Sequence, residues 1–275
     1  MNAREQGIEP RARLGQPRLH TRRIDSTNER ARTLAIVGAP HGTLVSSDEQ
    51  TAGRGRQGRS WLAPPGSSLL CSLVLRDPPA LLSLIAGVAV CDAVGGSARV
   101  KWPNDVVMVM DDNRLSSSAT PTALPSGESS PASAADVPVL TKLAGILVEG
   151  RPQENWAVLG IGLNVAVRIQ QLPSEVGQRA ASLELSPSAI EPTMQRLLDA
   201  LENRFAEPVE SVLDAWRERD ALLHRDVSWG DHRSEDWAEQ GRAEGIDNAG
   251  RLVVKLGNGS TTALDAGEVH LGLSY

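Results

Sequence analysis

The spacing of apolar residues predicts an alternation of helices and strands along most of the chain. Ser26 followed three positions later by Glu29 is a capping-box pattern, and the apolar periodicity after it predicts a helix from Ser26 to about Val37. Short continuous apolar runs favour buried strands, and longer runs favour helices. The predicted strands are 42–47, 67–76, two short strands within 98–110, 142–149 and 155–165, and the further predicted helices are 79–94, 189–205 and 207–219.

Three segments interrupt this pattern. Residues 1–17 have no apolar period and mix charges with prolines, which predicts a flexible tail. Residues 48–66 form a long polar stretch rich in Gly and Arg, which predicts a loop. Residues 111–141 are rich in Ser, Pro and Ala without a helical or strand period, which predicts a disordered low-complexity insertion.

The pattern of apolar and turn residues changes near the end of the chain. From about Leu222 onward, short β-like segments alternate with turn signals at 247–250 and 257–259. This pattern predicts a small C-terminal β-barrel domain over 222–275, preceded by a main domain over 18–221 that carries the insertion.

Composition and charge narrow the class of protein. The 275 residues include 28 basic and 34 acidic side chains, and the net charge of −6 argues against a general nucleic-acid-binding surface. The longest apolar stretch, 80–94, is too short to span a bilayer and contains Ser83 and Asp92. No apolar leader opens the chain, and Cys71 and Cys91 each lie in an apolar run, as expected of buried thiols in a reducing compartment. We therefore expect a cytoplasmic protein with no membrane partner.

The string Q-T-A-G-R-G-R-Q-G-R-S-W at 50–61 is the strongest chemical signal. It matches the dinucleotide-binding pattern G-x-G-x-x-G, and Asp77 follows about 20 residues later. That pattern needs a helix directly after the glycines, whereas Pro64 and Pro65 follow here, so the dinucleotide reading is rejected. Alternating Gly and Arg instead favours an anion site, because glycines expose backbone N–H groups and guanidiniums bind carboxylate or phosphate. A solvated basic loop remains the alternative.

Two further strings place polar groups at strand ends. K-W-P-N-D at 101–105 combines a cation, an aromatic ring and polar side chains, and Asp105 can hold Mg²⁺ or accept a ribose hydroxyl. G-I-G-L-N at 160–164 has glycines against which a ligand can lie, with Asn164 as a polar group beside them. A polar turn and a tight bend in a sheet are the respective alternatives.

The string K-L-A-G-I-L-V-E at 142–149 begins a predicted strand with a lysine. Lys142 can reach the floor of a pocket, since Gly145 permits a close approach. The alternative is a lysine that protects a sheet edge from pairing.

Together with S-T-N at 26–28, these strings resemble the motifs of the biotin–protein ligases, both in their residues and in their order along the chain. The resemblance covers about 26–165 and continues more weakly into the C-terminal barrel. It implies an α+β fold, with a class II aminoacyl-tRNA synthetase-like catalytic domain of mixed sheet and helices, followed by a small SH3-like β-barrel.

The resemblance also implies an activity. Such enzymes use ATP and Mg²⁺ to convert biotin into biotinyl-5′-AMP with release of pyrophosphate, and then transfer biotin to a lysine of a biotin carboxyl carrier domain. Some members carry an N-terminal helix-turn-helix domain, but only 25 residues precede Ser26 here. The expectation is therefore the monofunctional form, with no nucleic-acid partner, as a monomer or weak homodimer.

The same resemblance assigns residues to roles. The biotin pocket would comprise Ser26, Thr27, Asn28, Gln50, Gly53, Arg54, Arg56, Lys142, Gly145, Gly160 and Gly162. The ATP side would comprise Arg56, Arg59, Trp61, Asn104, Asp105, Lys142 and Asn164. Catalytic roles would fall to Lys142, Arg56 and Asp105, and Asp105 would also be the Mg²⁺ ligand.

Two features bear on these expectations. The insertion separates Asp105 from Lys142, which the family usually joins by a short hairpin, and this puts the placement of Lys142 in question. The Gly-rich segment 53–66 is expected to become ordered when ligands bind. A lipoate or octanoate ligase of the same fold, and a non-enzymatic regulator that binds biotinyl-adenylate, remain alternatives.

Overall fold

A computed structural model describes residues 13–110, 139–230, 239–266 and 270–273 of the chain. The helices are α1 (Thr27–Ile36), α2 (Leu82–Val94), α3 (Ser174–Gly177), α4 (Ile190–Ala206) and α5 (Val209–Arg217). The strands are β1 (Arg18–Thr21), β2 (Leu44–Ser47), β3 (Ser68–Arg76), β4 (Ala98–Lys101), β5 (Asp105–Met110), β6 (Val139–Arg151), β7 (Trp156–Asn164), β8 (Asp226–Gly230), β9 (Glu239–Ile246), β10 (Leu252–Lys255), β11 (Thr261–Leu264) and β12 (His270–Leu273).

A seven-stranded mixed sheet forms the main domain, with strand order β1-β2-β3-β7-β6-β5-β4. The pair β1–β2 is parallel and is connected through α1, as a parallel pair requires a crossover. The other neighbouring strands pair in antiparallel fashion. The predicted α+β class and mixed sheet are confirmed.

Helices cover both faces of this sheet. On one face α2 lies between the sheet and helices α4 and α5, which explains why α2 is apolar on all sides rather than amphipathic. On the other face α1 packs through Ala31 and Ala35 against Val45, Val74 and Val158. The start of α1 matches the prediction, since the Glu29 N–H donates to Ser26 Oγ at 3.4 Å. The Ser26 N–H donates to Asp25 Oδ1 rather than to Glu29, so the capping box itself is half formed.

The C-terminal strands form a second sheet with order β11-β10-β9-β8-β12, and each neighbouring pair is antiparallel. This confirms the small C-terminal β domain, whereas the exact boundary before residue 222 stays a prediction. The two sheets share one continuous apolar core. Trp102 Nε1 also donates to the Gly250 carbonyl oxygen at 3.1 Å, which ties the turn after β4 to the turn after β9.

The predicted tail over 1–17 needs a correction at its end. Residues 1–12 lie outside the described residues, but Leu14 is buried, and its N–H donates to Glu202 Oε1 at 2.7 Å. Strand β1, which follows directly, was not predicted. It has only four residues and its pattern of exposure is that of a half-covered sheet edge, so it carries little apolar signal.

The predicted insertion over 111–141 also needs a correction. Residues 111–138 lie outside the described residues, but 139–141 belong to β6. They pair with 108–110 of β5, which extends the β5–β6 hairpin to its open end. Among the described residues, no helix is long and apolar enough to cross a bilayer.

Candidate active site

One cavity of about 170 Å³ is lined by residues from each of the strings described above. It lies where the start of α1, the Gly-Arg loop and the strands β4 to β7 meet. The predicted site residues that line it are Ser26, Thr27, Asn28, Gln50, Arg54, Arg56, Arg59, Trp61, Asn104, Asp105, Lys142, Gly145, Gly160 and Gly162. Residues 105 and 142 meet despite the insertion because β5 and β6 remain paired.

One end of the cavity carries neutral polar groups. Thr27 donates to Gln50 Oε1 twice, from its N–H at 2.7 Å and from its Oγ1 at 2.9 Å. Ser26 caps α1 beside them and is buried. Hydroxyl and amide groups held in this way can recognise a ligand that offers both N–H donors and a carbonyl acceptor.

The Gly-Arg loop folds back on itself beside the cavity. The Gly55 N–H donates to the Arg59 carbonyl at 2.7 Å, and the Trp61 N–H donates to the Gly53 carbonyl at 2.9 Å. A Cβ on Gly53 would lie 2.5 Å from the Trp61 carbonyl oxygen, so this glycine permits closure of the loop. Only a short 3₁₀ turn, Arg56–Gly58, occurs here and no helix follows it, which agrees with rejecting a dinucleotide-binding loop.

Arg56 reaches across the cavity from this loop. Its Nη1 donates to Asn104 Oδ1 at 3.1 Å, and its Nη2 donates to the carbonyl oxygen of Ala266 in the C-terminal domain. Burial lowers the pKa of Arg56, and the nearby charge of Asp105 acts in the opposite direction. A half-buried guanidinium with few competing carboxylates is suited to bind a ligand anion.

Two lysines add positive charge to the same wall. Lys142 Nζ lies 2.6 Å from Asp105 Oδ1. Lys101 also lines the cavity, where burial lowers its pKa, Asp105 raises it, and the like charges of Lys142 and Arg59 lower it further. The prediction did not include Lys101, although it is the first residue of K-W-P-N-D. The β4–β5 hairpin, which pairs position 101 with Asp105, brings it to the cavity.

A tryptophan lies on a glycine floor. Gly145 of β6 pairs with Gly162 of β7, and the Trp61 indole lies against both. A Cβ on Gly162 would lie 2.6 Å from the indole, and a Cβ on Gly145 would lie 2.9 Å from it. Lys142 Nζ is 5.7 Å from the ring centroid, within cation–π range. The indole Nε1 is buried without a hydrogen-bond partner among the described residues.

Two predicted residues do not line the cavity. Gly53 belongs to the loop closure described above. Asn164 is buried at the end of β7, where its Nδ2 donates to the Ala181 carbonyl at 2.9 Å and its Oδ1 accepts from Ser68 Oγ at 3.3 Å. Both side-chain groups of Asn164 are therefore engaged in holding the fold.

The cavity also contains residues that sequence reasoning did not assign. Ile146, Ile161 and Trp102 contribute apolar surface. The available signal was the position of Ile146 and Ile161 beside the motif glycines and of Trp102 within K-W-P-N-D. Cys71 lines the wall as well, but burial raises the pKa of its thiol to about 12. This thiol stays protonated at neutral pH and is not a nucleophile of the site.

Comparisons with known proteins place the chain in a family. The model described as "Biotin/lipoate A/B protein ligase family" matches residues 20–165, and the model described as "Biotin protein ligase C terminal domain" matches residues 238–272. The chain belongs to the biotin/lipoate A/B protein ligase family.

Particular relatives are biotin ligases. The chain is 32% identical to the biotin–[acetyl-CoA-carboxylase] ligase of Mycobacterium tuberculosis H37Rv, over 89% of this chain and 85% of the relative. It is 30% identical to the protein of the same name from Paracoccus denitrificans, over 91% of this chain and 98% of the relative. The structure of the biotin protein ligase from Aquifex aeolicus in complex with biotin and ATP matches with a TM-score of 0.70 and 22% identity, over 94% of this chain and 100% of that one. The last comparison confirms the fold.

Proposed function

We propose that this protein is a biotin–protein ligase. It activates biotin with ATP to give biotinyl-5′-adenylate and pyrophosphate, and it then transfers biotin to a lysine of a biotin carboxyl carrier domain. The observation that carries the proposal is a single cavity with neutral hydrogen-bonding groups at one end, a glycine and tryptophan floor, and several cations at the other end.

The parts of this cavity match the parts of biotin. Biotin has a cyclic urea with two N–H donors and one carbonyl, an apolar ring and chain, and a terminal carboxylate. The hydroxyl and amide groups of Ser26, Thr27 and Gln50 suit the urea. The glycine floor and Trp61 suit the apolar portion, and Arg56 and Lys142 suit the carboxylate. A nonpolar acyl chain such as octanoate would leave the neutral polar end unpaired, which disfavours that alternative.

In the first step a carboxylate oxygen of biotin attacks the α-phosphorus of ATP. The bond to the bridging oxygen breaks, and pyrophosphate leaves. Two negatively charged groups must come together, so the catalytic contribution is positioning and stabilisation of negative charge. The positive charge that stabilises these groups comes from four residues that line the cavity, Arg56, Lys142, Arg59 and Lys101.

Asp105 is the one carboxylate among the described residues that line the cavity, and Mg²⁺ bound there would compete with the Lys142 ammonium, which lies 2.6 Å from Asp105 Oδ1. Mg²⁺ at nucleotide sites is commonly held by one or two carboxylates together with substrate phosphates. Both amide atoms of Asn104 are engaged, with Arg56 and with the Ile146 carbonyl, so Asn104 is not free to bind a metal. No group of three or more potential metal-ligating side chains converges within the described ranges, so substrate oxygens would complete the site. Bound Mg²⁺ would supply positive charge to the phosphate oxygens.

In the second step the acceptor lysine amine attacks the carbonyl carbon of the adenylate, and AMP leaves. The folded Gly-Arg loop covers the reactive anhydride and keeps water from it until the carrier domain docks. We propose the carrier domain as the macromolecular partner of a cytoplasmic monomer or weak homodimer, with no nucleic-acid partner, since the net charge is −6.

The direct test is pyrophosphate release by the purified protein with ATP and Mg²⁺. We expect release with biotin and none above background with lipoate or octanoate. Release only with lipoate or octanoate would select the alternative acyl ligase, and biotin binding without turnover would select a non-enzymatic regulator.

A further inference from the structure

A chain of hydrogen bonds runs to Glu149 on β6 from the neutral end of the cavity, formed by Ser26, Thr27 and Gln50. Asn28 Nδ2 donates to Glu149 Oε2 at 2.9 Å, and Asn28 Oδ1 accepts from Ser72 Oγ at 2.7 Å. Ser72 Oγ also lies 2.9 Å from Thr27 Oγ1, which lies 2.9 Å from Gln50 Oε1. Glu149 thus connects to two residues to which we assign the urea of biotin.

The carboxylate of Glu149 sets the direction of this chain. An ionised carboxylate only accepts hydrogen bonds, so the amide of Asn28 must turn its NH₂ toward Glu149 and its carbonyl toward Ser72. The carbonyl then takes the single Ser72 proton, because it is an acceptor only. Thr27 Oγ1, 2.9 Å from Ser72 Oγ, keeps its own proton to donate to Gln50 Oε1 at 2.9 Å. Glu149 therefore acts on the direction in which the Thr27 hydroxyl donates, whereas Gln50 Oε1 is also held by the Thr27 N–H at 2.7 Å.

Burial keeps water from the Asn28 and Ser72 part of this chain. Ser72 is 0% exposed and Asn28 is 4% exposed. A Cβ on Gly160 would lie 2.0 Å from Asn28 Oδ1, so the amide lies directly against the β7 backbone. An inverted amide would place the Asn28 carbonyl oxygen against Glu149 Oε2, so two acceptors would face each other without a proton between them.

Glu149 also holds the Gly-Arg loop. Its second oxygen, Oε1, lies 3.2 Å from Arg54 Nη2, and Arg54 Nη1 lies 2.7 Å from Glu29 Oε2. One carboxylate therefore accepts from the amide behind the neutral end and from the guanidinium that begins the loop over the cavity.

We propose that Glu149 is a positioning residue for biotin. Glu149 orients the amide of Asn28 and the guanidinium of Arg54, so that the neutral end of the cavity presents the correct hydrogen-bonding pattern to the urea. This inference rests on the proposed function. Glu149 itself acts through its two neighbours and does not line the cavity.

Glu149→Gln tests the inference with almost no change in shape. Asn28 and Arg54 each donate to a different oxygen of Glu149, and a glutamine replaces one of these oxygens by an NH₂ group that would face a donor. We expect the Kd for biotin, measured by calorimetry, to rise about 10- to 100-fold, as for loss of a hydrogen bond to a charged group. The KM for ATP should stay close to that of the wild type. Glu154→Gln is the matched control, because it alters an exposed carboxylate that pairs with Arg151 and Trp156 on the β6–β7 hairpin.

The reciprocal variant Asn28→Asp/Glu149→Gln separates positioning from a general loss of fold. The carboxylate now stands at position 28, where it accepts from Ser72 and from the amide NH₂ introduced at position 149. The oxygen of that introduced amide can still face Arg54. We expect this double variant to recover most of the biotin affinity that either single variant loses. Unchanged biotin affinity in Glu149→Gln, or a double variant no better than the single ones, would overturn the inference.

The binding readout also separates this inference from the proposed function. A wild-type protein that binds biotin without releasing pyrophosphate would refute the ligase proposal and still allow the affinities of the variants to be compared. A wild-type protein that does not bind biotin would refute both.

Discussion

Replacement of Lys142 is the sharpest perturbation of the proposed chemistry. In the structure its ammonium lies 2.6 Å from Asp105 Oδ1 and 5.7 Å from the centroid of the Trp61 ring. Its side chain runs along the glycine floor, with Cε 3.1 Å from the point where a Gly145 Cβ would lie. We consider two variants: Lys142→Met removes the charge, and Lys142→Arg keeps the charge in a larger planar group.

The structure predicts different magnitudes for stability and for catalysis. Lys142 and Asp105 have side chains 38% and 22% exposed, so their ion pair contributes little to folding. An exposed pair is worth about 0–1 kcal/mol, and a loss of 1 kcal/mol lowers Tm by about 2–4 °C in a domain of roughly 150–250 residues. Removal of one preorganised charge-stabilising group costs about 10²- to 10³-fold in kcat, or about 2.7–4 kcal/mol in the transition state.

The assay is pyrophosphate release at saturating biotin and ATP, with Tm measured on the same preparations. We expect both Lys142 variants to fold normally and to lose about 10²- to 10³-fold in kcat. The arginine does not rescue, because a guanidinium at this position displaces Trp61 or Asp105. Lys255→Arg, which changes an exposed lysine on β10, is the control and should leave kcat unchanged. A folded Lys142→Arg with wild-type kcat would remove Lys142 from the mechanism, and equal losses of stability and activity would assign it a structural role.

Three further outcomes follow from the geometry. Gly162→Ala places a Cβ 2.6 Å from the Trp61 indole. We expect this Cβ to displace the ring, change the fluorescence of Trp61 and raise the KM for biotin. Unchanged fluorescence and an unchanged KM would contradict this packing. Asp220 has a buried Oδ2 without a partner among the described residues, and burial raises its pKa from 3.8 to about 6. Between these two values the folded state binds more protons than the unfolded state, so the free energy of unfolding falls as pH rises through that window. Asp220→Asn removes this titration. In urea unfolding, the stability of Asp220→Asn relative to the wild type should therefore grow by up to about 3 kcal/mol between about pH 4 and pH 7. A pH-independent difference would refute that assignment. Trypsin should cleave the 53–66 segment more slowly with biotin and ATP than without them, and equal rates would contradict ligand-dependent closure.

Local sequence signals predicted much of the fold because each had a local physical cause. The capping box at Ser26 defined the start of α1 to within a residue, since capping depends on groups only three positions apart. The apolar runs within 98–110 predicted the two short strands that the structure has as β4 and β5. Strand β1 was missed because an edge strand of four residues needs no strong apolar pattern.

The roles of individual residues depended on information that is not local. Gly53 and Gly162 both lack a side chain for steric reasons, but one allows the loop to close and the other supports an indole, and sequence cannot distinguish these uses. Asn164 is held by Ser68, its partner on β3, and by the Ala181 carbonyl, and neither contact is visible in the sequence. Glu149 was part of a recognised string, yet its contacts with Asn28 and Arg54 join positions more than 90 residues apart.

The most direct test of the central claim is mass spectrometry of a biotin carboxyl carrier domain after incubation with the purified protein, ATP, Mg²⁺ and biotin. The account predicts one biotin on one lysine of the carrier domain, with pyrophosphate formed in equal amount and no modification when ATP is omitted. An unmodified carrier domain with biotin, or modification only with lipoate or octanoate, would contradict the account.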